Sequence, residues 1–249
     1  MTEGKGLTKP TSEHDPVVYR LHQRLRRIGP LQEVTARLPR SGVEYIIARP
    51  EDVDGLLEAA EDDPEENLPY WAALWPSGIA LADAVLADQD AVSSRRVLEL
   101  GSGIGVTAIA ALSVDADLVA SDYSADSLAL CRYNTLVNTG REPVTRQFNW
   151  RSPDPSFIEF AGDGFPVVLA ADVLYEQRDI EPLLRLVERI IHPGGILWLA
   201  EPRRNIATRF LEKAGEHGWF GAVDTHTGPW PELNDTGVQV RVHRLRRPL

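Results

Sequence analysis

The chain has 249 residues, 43% apolar and 25% charged, and its 26 Lys and Arg against 37 Asp and Glu leave a formal net charge of −11. That balance argues against a disordered chain and against broad electrostatic capture of nucleic acid; no apolar run approaches the ~18 residues of a membrane span, and the N-terminus lacks the apolar centre of a signal peptide. The single cysteine, Cys131, rules out an internal disulfide framework and fits a reducing compartment, so a cytoplasmic protein is expected.

In chain order, residues 1–16 are polar with no apolar period and are expected to be a disordered tail. A basic helix is expected over residues 17–27, and Val43-Glu44-Tyr45-Ile46-Ile47 reads as a short strand. Residues 51–66 are strongly acidic, with Pro64 as a breaker. The pattern changes at Leu68, dividing an N-terminal extension (17–67) from a domain (68–249). Ser77 is expected to cap a helix over 78–88. Val97-Leu98-Glu99-Leu100 reads as a strand, and 105–112 as a helix apolar on all sides, hence buried. Leu118-Val119-Ala120 is the next strand, Ser124 caps a helix to about residue 138, and 144–148 is a third strand. Residues 151–165 hold Pro153, Pro155, Gly162 and Gly164, so no regular crossover helix is expected there.

Val167-Val168-Leu169-Ala170-Ala171 does not alternate, which predicts a central parallel strand buried on both faces. Ile180, Leu183, Leu184, Val187, Ile190 and Ile191 form a helical stripe that Pro193-Gly194-Gly195 should stop. A buried strand over 196–200 and a helix over 205–216 follow. Val238, Val240 and Val242 alternate with polar residues, a half-buried strand expected to pair antiparallel with 220–226. Strands and helices that alternate to residue 217 imply right-handed crossovers. The result is an α/β domain whose parallel sheet is covered on both faces, closed by a hairpin.

In such a sheet a ligand sits beyond the carboxyl ends of the strands, where their order reverses. The first strand runs into Glu99-Leu100-Gly101-Ser102-Gly103-Ile104-Gly105, and glycines let a backbone turn tightly and approach a ligand. The third glycine falls at 105, with Val106 after it, which departs from the dinucleotide pattern G-x-G-x-x-G and suits a nucleoside without a pyrophosphate. Asp122 ends the second strand, where a carboxylate can accept hydrogen bonds from both ribose hydroxyls or, alternatively, cap the following helix in competition with Ser124. The six His residues show no metal-ligand spacing, so no metal site is expected.

The segment from Glu99 to Gly105 resembles motif I of the class I, seven-β-strand S-adenosylmethionine-dependent methyltransferases. Three further segments resemble the family 16 protein-lysine methyltransferases, the group that acts on electron-transfer flavoprotein β-subunit and on valosin-containing protein. They are the aromatic segment Pro69-Tyr70-Trp71-Ala72-Ala73-Leu74-Trp75-Pro76-Ser77-Gly78, the pair Asn149-Trp150, and the D-x-x-Y motif Asp172-Val173-Leu174-Tyr175. The resemblance covers most of the chain from Leu68 onward. It implies a Rossmann-like, doubly wound, mostly parallel seven-stranded sheet with a C-terminal antiparallel hairpin, and S-adenosyl-L-methionine as cofactor with S-adenosyl-L-homocysteine as product. It also implies N-methylation of a protein lysine; a small-molecule amine acceptor, or a non-catalytic cofactor-binding module, fits the same cofactor half.

The resemblance carries roles onto matching positions. Gly101 and Gly103 would lie against the amino-acid and ribose parts of the cofactor, and Glu99 beneath the loop would help hold the methionine. Asp122 would bind the ribose, Trp150 the adenine, Trp75 would line the pocket, and Ala171 would present its backbone near the methionyl end, with Tyr123 and Asn149 in the same cofactor-binding set. Trp71 reads as core packing. A lysine acceptor, with a reference pKa of ~10.4, must lose a proton before attack, and a carboxylate alone favours the charged amine. Asp172 is therefore expected to position the acceptor and Tyr175 to shape the same site, the alternative being a helix N-cap and a staple. Arg203 and Arg204, after Glu201-Pro202, reach the same rim, either solvated or meeting an acidic group on the substrate.

Overall fold

Strands that are apolar at consecutive positions must bury both faces, and in the computed structural model they do so between two layers of helices. The structure describes residues 16–60 and 68–249. The expected disordered tail, apart from Pro16, and the acidic stretch around Pro64 lie outside the described residues. The N-terminal extension comprises α1 (Pro16–Leu25), β1 (Leu31–Arg37), β2 (Glu44–Pro50) and α2 (Val53–Ala59), with β1 and β2 paired as an antiparallel hairpin. Neither β1 nor α2 is legible in the sequence: Ala36 is the sole fully buried position of β1, and α2 buries none. α1 packs Val18, Leu21 and Leu25 into the same apolar core as the helices of the domain, and so does β2 with Ile47 and Ala48.

The domain follows as α3 (Pro76–Ala87), β3 (Arg96–Leu100), α4 (Val106–Ser113), β4 (Asp117–Asp122), α5 (Ala125–Thr139), β5 (Val144–Gln147), α6 (Pro155–Ala161), β6 (Phe165–Ala171), α7 (Ile180–Ile190), β7 (Ile191–Glu201), α8 (Asn205–Glu216), β8 (Phe220–His226) and β9 (Val240–Arg246). Seven strands form one sheet in the order β5-β4-β3-β6-β7-β9-β8. The pairs from β5 to β7 are parallel, and β9 runs antiparallel between β7 and β8. Alternate residues feed opposite cores. Val97, Val167, Leu169, Trp198 and Ala200 pack with α3, α4 and α5, whereas Leu98, Leu100, Val168, Ala170, Leu197 and Leu199 pack with α6, α7 and α8. This is the doubly wound arrangement that right-handed crossovers generate.

Three local expectations are corrected. Ser77 does not cap α3. Pro76 occupies the first turn, Trp75 is the N-cap residue, and the Ser77 hydroxyl is released for another partner. A crossover helix does form between β5 and β6. Asp154 caps α6 by accepting from Ser156 N, Pro155 sits where a missing N–H costs nothing, and Gly162 and Gly164 fall beyond the helix end. Finally, α7 already ends at Ile190, and Pro193-Gly194-Gly195 lies inside β7, absorbed by a register shift opposite Phe165 and Val167.

Gly105 explains the glycine spacing. It is the N-cap of α4 in the left-handed region (φ +88°), and a Cβ there would lie 2.9 Å from Cys131 Cα on α5. Gly105→Ala should therefore lower unfolding free energy by at least about 1–2 kcal/mol, the cost of left-handed backbone for an L-residue. The check is a urea midpoint that falls with an unchanged slope.

Candidate functional site

The strand order reverses between β3 and β6, and the chain leaves these two strands for opposite faces of the sheet. A crevice opens at such a switch point. A cleft of about 340 Å³ lies there, bordered by the glycine loop, the end of β4, Trp150, the segment after β6 and the aromatic residues before α3. Its volume is within the range of small-molecule sites.

The loop after β3 is built to curve. Gly101 and Gly103 have φ of +66° and +50°, and the turn is pinned from below: Ser102 N donates to Ser121 O (2.9 Å), Ser127 Oγ to Gly103 O (2.9 Å) and Gly103 N to Asp122 Oδ2 (3.0 Å). The other oxygen of Asp122 accepts from Ser124 N (3.0 Å), while Ser124 itself caps α5. Asp122 thus ties the β4 end to both the loop and α5. Ser127 and the Tyr123 backbone also hydrogen-bond to this carboxylate, so it is held by four neighbours. Burial pushes its pKa up, opposed by the Ser124 and Gly103 amides.

Glu99 lies beneath the same loop, 2% exposed, beside a smaller cavity that it shares with Trp75, Gly101, Gly103 and Ala171. Its Oε2 has no hydrogen-bond partner. Burial, aided by the charge of Asp122, pushes its pKa up to about 8. A buried carboxylate oxygen left unpaired costs free energy unless a donor or cation reaches it.

One wall is aromatic. Tyr70 meets Trp75 and Tyr175 edge-on, with ring centroids 6.3 and 5.7 Å apart. Trp75 Nε1 donates to Tyr70 O (2.8 Å) and Tyr123 Oη to Leu68 O (2.6 Å). Trp150 is buried against Gly101, and its Nε1 lacks a partner. Trp71 is half-buried, packs on the core and also borders the cleft.

On the opposite wall Asp172 adopts a left-handed backbone (φ +57°), fixed by its N–H to Ala200 O (3.0 Å). Its side chain is 7% exposed; Oδ2 accepts from Ser77 Oγ (3.0 Å) and Oδ1 pairs with Arg204. Burial raises its pKa, opposed by Arg204 and Ser77. Burial also raises the Tyr175 phenol to about 12, so it stays protonated at neutral pH. Neither residue caps α7; that helix is preceded by a short turn, Gln177–Asp179, closed by a capping box between Glu176 and Asp179.

Of the residues singled out in the sequence, Trp75, Gly101, Gly103, Asp122, Tyr123, Trp150, Ala171, Asp172 and Tyr175 meet around the main cleft, and Glu99 lies under its floor. Asn149 does not border it; its Oδ1 accepts from Arg151 N (2.9 Å) in the turn that delivers Trp150. Sequence reasoning missed the contacts of Ser77 and Arg204 with Asp172. Pro76 was the available signal for the first, since it places the cap one residue earlier. Among the described residues no group of three His, Cys, Asp or Glu is placed to hold a metal.

The profile of a family described as "Lysine methyltransferase" matches residues 60–217. The chain is similar to "Protein-lysine methyltransferase METTL21E" of Mus musculus, 27% identical over 154 residues, 59% of this chain and 63% of that protein. It is also similar to "Electron transfer flavoprotein beta subunit lysine methyltransferase" of Danio rerio, 33% identical over 111 residues, 44% of this chain and 40% of that protein. The matches thus span less than two thirds of these relatives' length. Among solved structures, the fold resembles magnesium protoporphyrin IX methyltransferase from Synechocystis PCC 6803 with bound SAM. The TM-score is 0.54 at 14% identity, covering 79% of this chain and 97% of that one.

A carboxyl whose folded-state pKa is raised holds its proton more tightly than the unfolded chain does. Glu99 therefore withdraws stability as pH rises from its ordinary value of 4.5 to about 8, and nothing further above that. Glu99→Gln should remove this trend. The ligand-free wild type should lose up to about 1.4 kcal/mol per pH unit relative to the variant across that window. Urea unfolding of both proteins at several pH values reads the difference.

Proposed function

The chain belongs to the lysine methyltransferase family, and from that membership we propose that it transfers the methyl group of S-adenosyl-L-methionine to the side-chain amine of a lysine in a protein substrate. One observation carries the reading. A glycine loop, with one buried carboxylate oxygen left unpartnered beneath it, faces the Asp172–Tyr175 motif across the cleft at the strand-order reversal. The names of the two lysine methyltransferase relatives support the acceptor. The proposed location is the cytoplasm, on the single, fully buried cysteine.

The residues present fit the cofactor. The free oxygen of Glu99 suits the α-ammonium of its methionine part, the Asp122 carboxylate bordering the cleft suits the ribose hydroxyls, and Trp150 with Tyr123 offers flat apolar surface and one unused N–H to the adenine. Gly101 and Gly103 present backbone without side chains, and Trp75 and Ala171 close the methionyl end. Bound there, S-adenosyl-L-methionine supplies an electrophilic methyl carbon whose bond to sulfur breaks, leaving the electron pair on sulfur, as the bond to nitrogen forms.

The chain's own contribution is position and dryness. Asp172, locked by its backbone strain and two side-chain partners, presents an acceptor for the N–H of the incoming amine. Tyr175 and Tyr70 shape an aromatic passage that admits the lysine stem and excludes water. The Tyr175 phenol, pushed up to about 12, hydrogen-bonds without taking the amine's proton, which leaves to solvent.

Radiolabelled S-adenosyl-L-methionine incubated with the protein and a lysate of its source organism tests the reading. Label in a protein band, recovered as methyl-lysine on hydrolysis, is expected; label confined to the small-molecule fraction overturns the protein acceptor. Asp172→Ala should cut that labelling roughly 10²-fold, the cost of about 1 Å of misplacement, with calorimetric affinity for the cofactor kept within about threefold. Full labelling by the variant would remove Asp172 from the acceptor site.

A further inference from the structure

Arg204 stands apart from the other groups around the cleft. Among the described residues bordering it, Arg204 is the one cation, facing Asp122, Asp172 and Glu176. Its backbone is fixed at the N-cap of α8: Arg204 N donates to Glu201 Oε2 (3.0 Å), and the buried Glu201 is held through its other oxygen by His243 Nε2 on β9 (3.2 Å). From that anchor the guanidinium, one-third exposed at the cleft mouth, reaches a carboxylate oxygen of the nearly buried Asp172. The second oxygen is taken by Ser77 Oγ from α3. Two elements on different sides of the cleft therefore converge on a residue already held in a left-handed backbone.

This convergence bears on a chemical difficulty of the proposed reaction, on which the inference rests. A bare buried carboxylate beside an amine stabilises its ammonium form, and an ammonium has no lone pair to attack with. We infer that Arg204 is a positioning residue of the acceptor site: by pairing with Asp172 it cancels the carboxylate's charge, so that the acceptor amine is held there neutral rather than as an ammonium ion. Ser77 keeps one carboxylate oxygen oriented, and the remaining lone pairs of Asp172 accept the amine's N–H.

The other charged and titratable groups near Asp172 do not supply this cancellation. Glu201, at the end of β7, is itself negative and engaged with His243 and the Arg204 backbone. Asp235, in the turn Leu233–Asp235, feels the Asp172 charge and has its own pKa raised, chiefly by burial. Tyr175 and Glu176, on the loop that follows Asp172, are respectively neutral and paired with Arg151 and Arg178. Glu99 and Asp122 lie on the far wall under the glycine loop. Among the described residues bordering the cleft, none but Arg204 offers Asp172 a positive charge.

The test needs no acceptor. S-adenosyl-L-homocysteine and sinefungin, the analogue with a primary amine in place of the methylated sulfonium, are titrated calorimetrically into the full chain near pH 7. The ratio of their dissociation constants reports how strongly the site prefers a charged amine. Arg204→Gln, and Arg204→Met as a second charge-free variant, should shift the ratio toward sinefungin by roughly tenfold or more, the effect of uncovering an opposite charge. Arg204→Lys should stay within about threefold of the wild type. Adding Asp172→Asn to Arg204→Gln should return the ratio to the wild-type value. Retained S-adenosyl-L-homocysteine binding in each variant serves as the folding control. Unchanged ratios in both charge-free variants, with both nucleosides bound, overturn the role of Arg204 and leave the functional reading standing. Failure of the wild type to bind either nucleoside overturns that reading and this inference with it.

Discussion

β3 and β6 are hydrogen-bonded neighbours, yet the chain leaves their carboxyl ends for opposite faces of the sheet, into α4 on one side and towards α7 on the other. Two helices cannot cover the same strand ends from opposite faces, so a gap remains at this place. Everything chemical in the molecule is gathered around it: the glycine loop is what β3 becomes, and Asp172 is what β6 becomes. Both strand ends pass through left-handed backbone, Gly101 and Gly103 after one and Asp172 after the other, because both turns must reverse within a few residues to clear the gap. Glycine accepts that geometry freely; aspartate does so at a cost of order 1–3 kcal/mol that the surrounding contacts must offset.

Three carboxyl groups enter this poorly solvated region, and burial raises the pKa of each. They are compensated in different ways. Asp122 is satisfied by backbone amides, which are fixed partial charges and part of the loop it braces. Asp172 is satisfied by a guanidinium and a hydroxyl, partners that belong to other elements. Glu99 keeps one oxygen unmatched. The gradation from backbone partners through side-chain partners to an oxygen left unmatched runs from the residue that shapes the site to the one with most to gain from a cationic ligand. A zwitterionic amino-acid end on a nucleoside is the ligand class that this ordering favours.

Much of the fold was legible in the sequence because burial on both faces leaves a simple trace. Val167 to Ala171, Leu197 to Ala200 and the stripe from Ile180 to Ile190 can be read one residue at a time, since each position has one core to face. The failures share a cause too. β1 and α2 bury almost nothing, so composition carries no signal for them. Breakers at helix ends are compatible with a helix, as Pro155 in the first turn of α6 and Gly162 at its C-cap show. At the site, Gly101, Gly103, Asp122 and Asp172 were readable because each sits at a strand end. The partners of Asp172 were not, because Ser77 and Arg204 lie 95 and 32 residues away along the chain. No local pattern encodes a contact made only where the first turn of α3 and the N-cap of α8 reach the end of β6.

The extension shows how such long-range contacts can still obey a simple geometry. Asn134 and Asn138, one turn apart on α5, each clasp one residue of β2 by its N–H and its C=O. Asn134 Oδ1 accepts from Ala48 N and its Nδ2 donates to Ala48 O (both 2.9 Å), while Asn138 does the same with Ile46 N (2.9 Å) and Ile46 O (2.8 Å). Four helical residues rise about 6 Å, and two strand residues advance about 6.6–6.8 Å, so a pair of asparagines at this spacing matches alternate residues of a strand. Each primary amide offers the donor and acceptor that a neighbouring strand would, and the open edge of the hairpin is closed without a third strand. Asn134 also donates to Ile104 O in the glycine loop (2.8 Å). One buried amide therefore holds the extension, α5 and the ligand loop in register, and the extension is joined to the cleft by the same hydrogen bonds that protect its edge.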